Sequence, residues 1–197
     1  MPAGEQLLTP VAHALQLSLG MVFLAGAVPK WRAPHAFART VAEYRLAPAA
    51  FSPFVARALM AAEALLAAAL LAGLLVWLAA PVALALLLIF TAAVGINLRR
   101  RRQIPCGCFG AGSETISGRS LLRLALLLVA AAGASLLVDV LRMPPISLTP
   151  LGSGRWPAAD EVVAAGVLCL SLLLIGTWLL HLPELRSVVG HQRKEAA

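Results

Sequence analysis

The sequence predicts an all-α integral membrane protein, a compact bundle of about five transmembrane helices with one amphipathic helix lying at the interface. Three observations carry this. Of the 197 residues, 60% are hydrophobic and 13% charged, with a mean hydropathy of +0.87, whereas soluble domains carry about 25% charged residues. Several apolar runs approach the roughly 20 residues that cross a bilayer as a helix. The 16 basic residues sit between those runs, where a membrane protein keeps them. The formal net charge of +7 therefore reads as topology. No nucleic-acid partner is expected, because no basic stripe interleaves with aromatics; the bilayer is the partner.

The chain reads as a single membrane domain, 1–197, with spans at about 7–28, 55–78, 82–98, 121–141 and 162–182. The first has no basic residue before its apolar run, unlike a signal peptide, and is expected to be a retained helix. "APHAFARTVAEYRLAP", 33–48, places Phe37, Val41 and Tyr44 at helical spacing and predicts the interfacial helix. Pro53 and Pro81 are expected near the first turns of the second and third spans, where proline is tolerated. Ser117 is expected to cap the fourth. Residues 142–160, rich in Pro, Gly and Ser, read as an outer loop able to dock a partner. Ala/Leu-rich tracts supply small residues that let helices approach.

Alternating five helices from an outside N-terminus puts 14 of the 16 basic residues on the inner side, leaving only Arg142 and Arg155 outside. The positive-inside rule then gives an N-out, C-in protein of the cell membrane with the loop 99–117 at the cytoplasmic face. Trp31, Trp77, Trp156 and Trp178 fall at span ends, as interfacial tryptophans do.

That loop holds "RRRRQIPCGCFG", 99–110, with two of the three cysteines one residue apart. A Cys106–Cys108 disulfide would close a very small, strained ring, easier to reduce than a structural bond. Gly107 lowers the cost through backbone freedom. Pro105 stiffens the approach, and Gly110 and Gly112 loosen the exit. The neighbouring arginines favour thiolate, the attacking form. The pair thus reads as a redox-active dithiol. Two other readings stand beside it. Two thiolates can bind a soft ion such as Cu(I) or Hg(II), and loop arginines can serve topology alone. A closed zinc site wants four ligands, and His13, His35, His181 and His191 are too scattered to complete one. Cys169, mid-span, reads as a small core residue.

Charges inside a span are costly and mark function by default. Glu63 lies about two turns into the second span, and Arg123 just inside the fourth. With Lys30 and Asn97 they fall in the inner half of the bilayer. One polar cluster beneath the cysteine loop is expected, with Glu63 paired to a cation and acting as proton acceptor; the plainer alternative is an ion pair that only orients helices.

The N-terminal third resembles the opening of DoxX-like membrane proteins through Gly20, Phe23, Ala25, Gly26, Lys30, Pro34, Phe37, Tyr44 and Pro48, with Glu63 in the same pattern. "NLRRRRQIPCGCFG" followed by "SGRSLLRLALLL" is similar to the signature of the MauE branch: Asn97, the four arginines, Cys106, Gly107, Cys108, Phe109, Gly110 and Arg123. The resemblance covers roughly residues 15–140. It implies a four-helix DoxX-like core plus one helix, and a redox-associated membrane protein. MauE proteins are linked to maturing the disulfide-rich small subunit of methylamine dehydrogenase with a thioredoxin-like partner, so thiol–disulfide exchange with a thioredoxin-fold protein is the implied activity.

Maturing an exported enzyme is periplasmic work, yet the charge count puts the cysteines inside. The pair either carries electrons from cytoplasmic thioredoxin outward by alternating access, or has a cytoplasmic partner, or folds back into the bundle; the relay is the reading adopted. In it Cys106 and Cys108 cycle between dithiol and disulfide, with Cys108 assigned the attack. Arg102, its neighbours and Arg123 stabilise thiolate, Glu63 manages a proton, and Lys30, Asn97, Tyr44, Pro105, Gly107, Phe109 and Gly110 support. The redox-active disulfide is the only cofactor expected; a quinone acceptor is compatible, but no residue specifies one. The alternatives are a soft-metal protein and a non-catalytic anchor of a redox complex.

Overall fold

The computed structural model describes residues 3–107, 115–140 and 163. Among the described residues five α-helices follow one another: α1 (Ala3–Arg32), α2 (Pro34–Glu43), α3 (Ser52–Ala72), α4 (Val76–Arg99) and α5 (Gly118–Ser135). A 3₁₀ turn, Ala49–Phe51, leads into α3, and a π-helical turn, Leu136–Val140, continues α5. Among the described residues four stretches are long and apolar enough to cross a membrane: Val11–Arg32, Ala49–Ala72, Val76–Arg99 and Gly118–Val138. The span expected at 162–182, the outer loop 142–160, Cys169, Trp156 and Trp178 lie outside the described residues.

The four long helices form a closed ring of neighbours. α1 packs chiefly on α3 and also on α5, while α4 packs on α5 and α3. Lipid is as apolar as leucine, so helices associate through close packing and polar ties rather than hydrophobic drive. Both are present. Alanines fill the contact faces, with Ala79 and Ala83 of α4 and Ala131 and Ala134 of α5 in one buried cluster. Gly20 brings α1 against Leu70 and Leu71 of α3. One turn earlier, Gln16 Nε2 donates to the Leu70 carbonyl at 2.8 Å. The outward faces stay apolar, Leu65 and Val129 each more than 70% exposed.

α2 is the amphipathic segment expected before the second span. Ala33 breaks α1, Pro34 opens α2 with its fixed φ, and Phe37 and Thr40 turn inward. The helix folds against α3 and stops at Tyr44, after which Arg45 takes a left-handed φ of 48°.

Two boundaries differ from the sequence reading. The first span does not end at 28: α1 runs through Pro29 to Arg32, and the Pro29 carbonyl still accepts from the Ala33 N–H at 3.2 Å. Lys30 is thereby a helical residue on a buried face. The second boundary is the α3–α4 turn, which falls at 73–75 rather than around Pro81. Gly73 adopts φ 71° as the left-handed C-cap, the conformation glycine takes without steric cost. Leu75 follows at φ 47°. Val76, Trp77 and Leu78 therefore belong to α4, and Pro81 lies inside that helix, as membrane helices tolerate where local adjustment re-satisfies the backbone. Pro53, by contrast, occupies the first turn of α3. Ser117 is the N-cap of α5, its N–H donating to Ser120 Oγ at 3.4 Å.

Candidate redox loop and the ion pair behind it

The loop after α4 is tied at its base. Arg101 turns the chain with φ 53°, and the Arg102 N–H returns to the Asn97 carbonyl at 3.1 Å. Arg102 Nη1 donates to the Glu43 carbonyl at 3.1 Å, placing a cation at the C-terminal end of α2, where the helix dipole favours it. Further on, the Ile116 N–H donates to the Ile104 carbonyl at 2.9 Å, and Pro105 faces Thr115 in an antiparallel bridge. Ile104 and Ile116 are both buried in the main core. Cys106 stands one residue inside this neck, half-buried and packed on that core. Cys108, Phe109 and Gly110 lie outside the described residues.

Gly107 does its work differently from the sequence argument. Its φ is not left-handed; Gly73 is the one glycine with positive φ among the described residues. What matters is the absence of a side chain. A Cβ there would meet Thr40 Cγ2 at 3.0 Å and Phe37 Cε2 at 3.3 Å, so the loop lies directly on the inward face of α2. Gly107→Val is expected to lift the loop and cost about 1–3 kcal/mol of overpacking. With Cys106 as the single cysteine, its alkylation should quicken several-fold over the Gly107 protein; an unchanged rate would place the loop off α2.

Phe37 joins this loop to a buried ion pair. Lys30 Nζ donates to Glu63 Oε1, with side-chain exposures of 0% and 2%. The ammonium also lies 5.1 Å from the centroid of Phe37 and 5.5 Å from that of Phe90, inside the range of cation–π attraction. Glu63, Lys30, Phe37 and Gly107 thus form one contiguous line from α3 through α1 and α2 to the cysteine loop. Glu63 Oε2 is buried and has no hydrogen-bond partner among the described residues.

Of the other expected members, Asn97 belongs to α4, Arg123 to α5 and Tyr44 to the end of α2. Asn97 is fully buried, its amide donating to the Ala93 carbonyl at 3.0 Å and its Oδ1 left without a partner among the described residues. Arg123 is partly buried in the first turns of α5. Tyr44 is partly buried at the end of α2. The cation on Glu63 is Lys30.

Next to Phe37 lies a cavity of about 200 Å³ that no motif in the sequence announces. Phe37, Thr40 and Tyr44 of α2, Ile89 and Phe90 of α4, and Gly107 line it. Phe90 was the missed residue; its one signal is its position seven residues before Asn97, on the same helical face.

The family model described as "Methylamine utilisation protein MauE" matches residues 8–138, all four long helices and the cysteine loop. The chain belongs to the MauE family. It is 37% identical over 172 residues to the methylamine utilization protein MauE of Paracoccus denitrificans, covering 84% of this chain and 87% of that protein. To the MauE of Methylophilus methylotrophus it is 39% identical over 99 residues, 50% of this chain and 52% of that protein. No solved structure matches. With four helices able to cross a bilayer, this MauE protein is a multi-pass membrane protein.

Proposed function

We propose that this MauE protein is a membrane thiol–disulfide oxidoreductase whose Cys106 and Cys108 exchange with a thioredoxin-fold partner. The observation that carries the reading is the seat of Cys106: half-buried, one residue past a closed neck, on a loop pressed against α2. A cysteine serving only as filler needs no such mount.

In the exchange, a partner thiolate attacks the Cys106–Cys108 disulfide, breaking that S–S bond and forming a mixed disulfide. The partner's second thiolate resolves it, leaving the partner oxidised and two electrons on Cys106 and Cys108 as thiolates, which become thiols on taking up the two protons that the partner's thiols gave up. The arginines favour the thiolate leaving group, and Glu63, with one oxygen unpaired, is the proton acceptor. The reading takes an exported enzyme of the methylamine dehydrogenase type as the substrate of the chain of exchanges, which the methylamine-utilisation family supports. In this reading the N-terminus lies outside and the cysteine loop inside, the orientation that the positive-inside rule favours for these basic segments.

Thiol trapping in cells tests this: acid quench, maleimide-polymer labelling and non-reducing gels on wild type, Cys106→Ser and Cys108→Ser. The expected result is a mixed redox population in wild type and a partner held by disulfide in one single variant. Both cysteines always reduced, with no mixed disulfide in either variant, would end the exchange reading. The trapped partner's compartment reports which face the loop occupies.

A further inference from the structure

We infer that the groove between α4 and α5 binds an anionic phospholipid, with one acyl chain along the groove and the phosphate on Arg99. The groove shares no residue with the cavity beside Phe37, and the inference does not depend on the exchange reading above.

The walls come mainly from one face of α4. Ala92, Gly95, Ile96 and Arg99 follow at three- and four-residue steps, which stack on one side of a helix. Leu98 stands beside them and Leu121 of α5 lies across from them. The space, about 470 Å³, is within the roughly 300–1,000 Å³ of small-ligand sites. It faces outward, since Ala92, Ile96 and Arg99 are all exposed. Gly95 shows that the protein does not fill this space itself. A Cβ at Gly20 or Gly107 would run into a neighbouring side chain, so those glycines serve close approach within the bundle. A Cβ at Gly95 would meet nothing within 4 Å. Glycine weakens a helix interior relative to alanine, and here no packing among the described residues offsets that loss.

Charge decides between the possible occupants. The Arg99 guanidinium has no ion-pair partner among the described residues. Residues 76–107 and 115–135 contain no Asp or Glu at all. Arginine holds phosphate through paired hydrogen bonds, and basic pockets between membrane helices take anionic headgroups. The N-terminus of α5 lies at the same end of the groove as Arg99, and its dipole also favours an anion. A second copy of α4 laid in the groove about a two-fold axis would set its Arg99 beside the first, like charge on like. A zwitterionic lipid would bring its own cation to Arg99. An anionic lipid fills the apolar trough with hydrocarbon and neutralises the arginine.

The test uses full-length protein in phosphatidylcholine nanodiscs doped with a trace of phosphatidylglycerol or phosphatidylcholine carrying an acyl-chain diazirine. Peptides 92–98 and 121–126 should take about fivefold more label from the phosphatidylglycerol probe. That ratio equals about 1 kcal/mol, the attraction of one arginine near an anionic surface. The outward face of α3 around Leu65 should take both probes equally. Arg99→Gln should bring the two probes to the same yield in the groove. Gly95→Phe fills the groove and should cut labelling by both probes; Ala92→Phe, at an exposed position, does the same if Gly95→Phe folds poorly. Unlabelled phosphatidylglycerol should displace the label, and inorganic phosphate should not. Equal labelling of the groove by both probes, or an equal preference on α3, overturns the site. A preference that survives Arg99→Gln overturns the assignment of the phosphate to Arg99. Displacement by inorganic phosphate overturns the lipid in favour of a free anion. Groove peptides that neither probe reaches end the proposal, and a protein that then migrates as a dimer gives the groove to a second copy.

Discussion

Lys30→Met is expected to destabilise the fold by about 3–5 kcal/mol, the cost of leaving one member of a buried ion pair without its partner. Glu63 is the twelfth of the 21 residues of α3 and 2% exposed, so its carboxylate has no water to turn to. Its Oε2 already lacks a hydrogen bond among the described residues, and Lys30 supplies the bond to Oε1. The two aromatic contacts of Lys30 add a smaller loss, of the order of 2 kcal/mol when fully desolvated. Phe37→Leu should therefore cost less than Lys30→Met. The double variant Lys30→Met/Glu63→Met should recover most of the loss, since apolar side chains of similar volume often replace a buried pair at little cost. Unfolding of wild type, Lys30→Met, Glu63→Met and the double variant in mixed micelles gives the cycle. A double variant as weak as the worse single one would mean that packing around Lys30, not its charge, holds α1 to α3.

Gly20→Val carries the second large effect. A Cβ at this position would stand 2.8 Å from Leu71 Cγ, 2.9 Å from Leu71 Cδ2 and 3.3 Å from Leu70 Cβ. The Leu71 side chain can turn partly aside; the Leu70 Cβ moves only with its backbone. Gly20→Ala should cost about 1–2 kcal/mol and Gly20→Val about 3, within the range of overpacked cores. Separating the helices here also stretches the Gln16 to Leu70 bond one turn away. Circular dichroism melts check the order wild type, Ala, Val. A neutral Gly20→Ala would show that α1 and α3 are not in contact at this level.

The parts of this molecule visible in its sequence are those set by local chemistry. Apolar length gave the four spans, Ser117 gave the start of α5, and the intramembrane charge of Glu63 called for a cation without saying that Lys30, rather than Arg123, would be the one. The errors came where one residue type has two uses. Pro81 looks like a helix start and lies inside α4, because Gly73, hidden in an unbroken apolar run, supplies the real stop. Pro29 looks like a helix end, yet α1 continues through it. Contacts between distant segments left no trace: nothing in "CGC" says that Gly107 rests on Phe37, and nothing near Phe90 announces Lys30. The identity of Cys106 as a candidate was plain in the motif; its seat on α2 was not.

The turn at 73–75 bears on how the chain enters the bilayer. Gly73, Leu74 and Leu75 carry no charge, and the Gly73 and Leu74 N–H groups both donate back to the Ala69 carbonyl. A turn that is apolar and meets its own backbone demand presents little that resists crossing hydrocarbon. α3 and α4 are thus suited to enter the bilayer together as a helical hairpin, tip first, with the arginines that follow α4 at its open end.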